Sequence, residues 1–89
     1  MSMRRIVEDV SGEGLEGLLG ETIAVWGVNY IYSGKLVAVN DSEIKLVDAK
    51  VVYETGELGA AEWKDAQQLP SDWYIRLSAV ESYGKVAHD

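Results

Sequence analysis

The chain has 89 residues, 47% of them hydrophobic, no Cys, no Phe, and a formal net charge of −7 from 15 acids against 8 Lys and Arg. That length makes one domain with a thin core, and the missing Cys excludes disulfides, thiolate nucleophiles and zinc–thiolate sites. Net acidity argues against a general nucleic-acid coat, which needs a cationic surface to release counterions. No stretch approaches the roughly 20 apolar residues of a membrane span. Met1-Ser2-Met3-Arg4-Arg5-Ile6-Val7-Glu8 reaches acid too soon for a signal peptide. The expectation is a cytoplasmic protein with no membrane partner.

Residues 1–10 read as an arm, and Ser11 as the cap of a short helix running to Leu19, with Leu15, Leu18 and Leu19 on one face. Three glycines weaken that helix, so it needs a surface to pack on, and Gly20 is a natural stop. From Glu21 the period changes to two. Residues 22–28 are rich in β-branched side chains and read as a first strand, with Gly27 marking a bulge or bend. Residues 30–39 read as a second strand interrupted by Gly34, and Asn40-Asp41-Ser42 as a turn. Residues 43–53 make a third strand with a bend at Asp48-Ala49. Residues 55–70 read as a long loop, with one or two helical turns over 60–67. A fourth strand follows over 72–78 and a fifth over 79–83, ended by Gly84 before a loose tail. Five short strands with hairpin-sized connections predict a mainly β fold: one strongly bent antiparallel sheet closing as a small barrel behind a short helix.

This order resembles the Sm-like superfamily, which includes the Sm and LSm proteins and bacterial Hfq. The stretch Leu15-Glu16-Gly17-Leu18-Leu19-Gly20-Glu21-Thr22-Ile23-Ala24-Val25 is similar to that family's leucine-bearing helix running into its first strand. Tyr32-Ser33-Gly34-Lys35-Leu36, then Val39-Asn40-Asp41, resembles the first Sm motif, and Ile75-Arg76-Leu77-Ser78-Ala79-Val80 the second. The match spans residues 12–84, within a single domain over 1–89 whose arms are 1–10 and 85–89. The positions also make sense by themselves. Gly34 permits a sharp bend, Leu36 faces the core, Asp41 can bond amides of its turn, and Ile75 and Val80 bracket a short connection.

The resemblance implies a closed ring of five to seven subunits, the fourth strand of one pairing with the fifth of the next. It further implies that the loops after strands two and four point at a pore, where Arg76 and Lys45, helped by Ser78 and Asn40, would meet RNA or another anionic ligand. Two departures weaken that ligand reading. The aromatic and Asn that bind a base in the family have Glu43 and Lys45 as nearest counterparts, and Leu77 replaces the usual Gly. Stacking on an aromatic contributes roughly 1–3 kcal/mol per base, so the family's uridine pocket does not carry over whole.

Other signals are weaker. Gly12-Glu13-Gly14-Leu15-Glu16-Gly17 fits G-x-G-x-x-G but lacks the strand and full helix of a dinucleotide site. His88 is the only His, and Asp41, Glu43 and Asp48 lack calcium-loop spacing, so no metal or cofactor is expected. Glu62 and Asp65 look like surface acids beside Lys64, and no His serves Ser11, Ser33 or Ser42 in a triad. Trp26 and Trp73 read as core or subunit interface. Trp63 reads as a cap holding the long loop on the barrel, or as a partner contact. The expectation is a ring-forming binding protein, not an enzyme, with no small-molecule substrate. The alternatives are a structural or scaffolding homo-oligomer without nucleic-acid binding, and a monomeric SH3-like adaptor that takes a peptide at Trp63.

Overall fold

The computed structural model describes residues 14–86. The expected Ser11 cap, the N-terminal arm and His88 lie outside them. The described chain is mainly β: one helical turn α1 (Gly14–Gly17), then β1 (Thr22–Gly27), β2 (Ile31–Val39), β3 (Glu43–Glu54), β4 (Asp65–Gln68), β5 (Trp73–Arg76), a 3₁₀ turn (Leu77–Ala79) and β6 (Val80–Lys85). No helix among these residues is long and apolar enough to cross a membrane.

The strands form one antiparallel sheet in the order β4-β3-β2-β1-β6, with β5 also on β3. It has six strands rather than five and does not close into a barrel. The added strand is β4, which lies where the sequence suggested loop or helix. Ala66 and Gln67 favour helix weakly, but β3 extends to Glu54 and offers an open edge, which they join as partners of Val52 and Val51. Backbone pairing overrides that local preference. β3 thus carries two strands end to end along one edge: β5 opposite Glu43 to Leu46, and β4 opposite Lys50 to Glu54.

Among the described residues, two of the four register shifts in the sheet fall where the sequence marked a bend. Between the pairs Lys35↔Val47 and Ser33↔Lys50, β2 contributes Gly34 alone while β3 contributes Asp48 and Ala49. Asp48 has φ +50°, a left-handed conformation that Asp tolerates better than most residues, and it makes the bulge at the expected bend. A Cβ on Gly34 would lie 3.0 Å from the Val47 carbonyl oxygen and 3.1 Å from Ala49 Cα, so only glycine lets the strands approach there. The second shift, between Trp26 and Gly27 in the β1–β6 pairing, falls at the other glycine read as a bend.

Ile23, Val25, Leu36, Ile44, Leu46, Ala49 and Ile75 form the core on one face of the sheet. Leu15 and Leu18 pack against it, whereas Leu19 is 46% exposed. The helix lasts a single turn, and Gly20 at φ +89° redirects the chain before a third leucine can reach that face. The bulge reverses the alternation of β3, so Ile44, Leu46 and Ala49 point inward while Lys45 and Lys50 both point outward.

Candidate functional site

The β2–β3 turn is held by Asn40. Its Oδ1 accepts from the Ser42 and Glu43 amides, both at 2.8 Å, and from Ser42 Oγ at 3.2 Å. The amide-binding role expected of Asp41 thus belongs to its neighbour, because Asn40 opens the turn and its side chain reaches forward two and three residues. The Leu77 amide then donates to the Ser42 carbonyl at 2.8 Å. This bond ties the 3₁₀ turn to the β2–β3 turn and brings Asn40, Arg76 and Ser78 to one corner. Arg76 is exposed and has no ion-pair partner among the described residues. Its partner in strand register is Glu43.

Lys45 sits one step further along the same outward face, opposite Tyr74. Its Nζ lies 5.6 Å from the Tyr74 ring centroid and 3.5 Å from Asp72 Oδ2. Tyr74 first, through hydrogen bonding and charge, and then Asp72 raise the Lys45 pKa above the usual lysine value. The ammonium is therefore held charged but already engaged. Lys45 and Arg76 stand among the carboxylates of Asp41, Glu43 and Asp72, so one chain offers this corner no excess of positive charge.

The motif positions behave as structural parts. Gly34 and Leu36 are buried, Leu36 completely, Ile75 is 6% exposed, and Val80 is half-buried against the core. Ile75 and Val80 anchor the ends of the 3₁₀ turn, which fixes where Arg76 and Ser78 stand.

A second constellation lies on the outward face and was missed in the sequence. In register, Ala24, Ser33, Lys50 and Gln68 form one cross-strand row. The chain between β3 and β4 returns over this face. Trp63 and Leu58 share a cleft with Ala24 and Trp26. Beside it a larger cleft of about 450 Å³ is lined by Lys35, Asp48, Lys50, Trp63 and Gln68, among others. The signal was present as the alternation shift at Asp48-Ala49, which alone tells a reader that Lys50 joins the face of Lys35. The sequence matches no protein-family model and no curated protein.

Proposed function

We propose that this chain is a non-catalytic, Sm-like module that assembles edge to edge into a closed ring of five to seven copies and works in the cytoplasm as a binding or scaffolding component. One observation carries the reading: β5 and β6 follow each other in sequence, yet do not pair. Among the described residues β5 has a partner only in β3, and β6 only in β1. Each leaves one edge of backbone donors and acceptors open. These two strands correspond to the fourth and fifth of the resemblance. Joining β5 of one copy to β6 of the next satisfies both edges and repeats around an axis, as a closing heterologous contact must. The bent five-stranded barrel of that fold is then completed across the seam rather than within one chain. Tyr74 at 56% and Tyr83 at 39% exposure sit on the joining strands, and aromatic residues are enriched in such interfaces.

Light scattering on the eluted protein tests this, together with hydrogen exchange. Assembly gives several times the mass of one chain, and slow exchange at the outward amides of β5 and β6. A monomer at tens of micromolar, with those amides unprotected, sinks the ring and favours the monomeric adaptor.

The second reading adds RNA or another anion at the corner of Arg76, Lys45, Ser78 and Asn40. The Leu77–Ser42 hydrogen bond favours it, because it fixes the two loop tips side by side, and a ring would repeat Arg76 around its axis. The nearby carboxylates oppose it. Fluorescence anisotropy with short oligo-U and oligo-A decides: binding at low salt that disappears in the Arg76→Ala, Lys45→Ala double variant supports the corner. Binding that survives removes it, and no binding leaves the scaffold.

A further inference from the structure

Three of the six basic side chains among the described residues gather around one indole. Lys35 and Lys50 line the cleft of about 450 Å³ with Trp63, and Lys50 and Trp63 also line an adjoining cleft of about 510 Å³ that adds Lys64. Lys64 is engaged with Glu54 at 3.3 Å. Lys35 and Lys50 have no ion-pair partner among the described residues, although the chain as a whole carries −7. The first cleft therefore holds two uncommitted ammonium groups against one carboxylate, Asp48. Its volume lies in the range of small-ligand sites.

The lining is mixed in a way that selects among anions. A bare inorganic anion would use the two lysines and the Gln68 amide donor but gain nothing from the Trp63 ring, and Asp48 would repel it. A ligand with an anionic end, a donor-bearing end and a flat ring uses all of them. The lysines take the phosphate, Asp48 accepts from a sugar hydroxyl or ring amine, Gln68 supplies amide donor and acceptor, and the indole gives the ring a wall. Asp48, in the left-handed region at φ +50°, forms the bulge that lies along this cleft. Bulges of this kind often re-aim side chains beside binding sites.

We propose that this cleft binds a phosphorylated nucleoside, either as a free mononucleotide or as one unit of a single strand. The site belongs to one chain and does not depend on ring assembly or on the Arg76 corner.

The experiment is a ¹H–¹⁵N titration of the full chain with adenosine and uridine 5′-monophosphate, the unphosphorylated nucleosides, inorganic phosphate, and hexamers of A and of U. Saturable shifts are expected at Lys35, Asp48, Lys50, Gln68 and the Trp63 indole, with nucleoside and phosphate each about tenfold weaker or worse. The surface double variant Lys35→Ala, Lys50→Ala keeps the dispersed spectrum and loses about tenfold or more in affinity, and added salt weakens wild-type binding. Tighter binding of a hexamer assigns the ligand to a strand, and equal binding to a free nucleotide. Arg76→Ala changes nothing. The proposal is overturned by no saturable shift at about 10 mM monophosphate, by phosphate alone binding equally well, by binding indifferent to the two lysines, or by loss on Arg76→Ala.

Discussion

Replacing Gly34 by Ala tests whether the close approach of β2 and β3 shapes this sheet. The added methyl would sit 3.0 Å from the Val47 carbonyl oxygen, 3.1 Å from Ala49 Cα and 3.1 Å from Leu46 Cβ. Comfortable contacts between carbons lie at about 3.5–4.0 Å. Two of the three atoms are backbone and the third is fixed to it, so relief requires the strands to part. Overpacking of this kind costs about 1–3 kcal/mol. Against it stands a gain of about 0.4–1 kcal/mol from a less flexible unfolded chain. The net expectation is a loss of about 1–2 kcal/mol, a large share of the roughly 4–13 kcal/mol available to a domain of this length. Gly59→Ala, in the connection between β3 and β4 and off the proposed seam, is the control. Nothing lies within 4 Å of its added methyl, so only the gain applies. The two variants should differ by about 10 °C in melting temperature. Urea and thermal unfolding followed by circular dichroism read this, at one protein concentration because assembly shifts apparent stability. Equal midpoints for the two variants, or a Gly34→Ala protein more stable than wild type, would refute the reasoning.

Other expectations follow from the same structure. Asn40→Ala removes the acceptor of three turn hydrogen bonds and should cost about 1 kcal/mol in urea unfolding, while Asp41→Ala should stay within about 0.5 kcal/mol of wild type. Leu46→Ala empties a fully buried position and should cost about 2–5 kcal/mol, read as a lower urea midpoint. For Lys45, the folded pKa lies above the unfolded one, so its stabilising contribution is complete below about pH 10.4 and fades as pH rises through the folded value. In an NMR titration of the lysine side chains, Tyr74→Phe should lower the Lys45 midpoint toward the ordinary value. An unmoved midpoint removes Tyr74 as the main cause.

How much was legible depended on whether the cause was local. Period-two alternation gave β1, β2 and β3, and single residues with one conformational use gave their interruptions: Gly27, Gly34 and Asp48-Ala49. Ile75 and Val80 marked the two ends of the 3₁₀ turn. What escaped was set by distant partners. β4 exists because the half of β3 from Lys50 onward has an open edge that β5 does not cover, and nothing within Asp65-Ala66-Gln67-Gln68 announces a strand. The turn amides were assigned to Asp41, although the residue before it makes the bonds, since either side chain has the needed oxygen. Lys45 was expected to be available. Its engagement by Tyr74 and Asp72 depends on a register with β5 that composition does not encode. The cleft beneath Trp63 draws on β2, β3, β4 and the connecting loop together, so no local window contains it.

The bulge at Asp48 also makes β3 a joint between two half-strands of opposite handedness in their use. Deleting that one residue would remove the reversal at the joint and turn over the residues that follow it, sending Lys50 toward the core and Val51 toward water. Inserting one residue there would do the same from the other side. The chain can therefore absorb length changes between Thr55 and Lys64 far more readily than a single step at position 48, where the count of residues, more than their kind, decides which surface the protein shows.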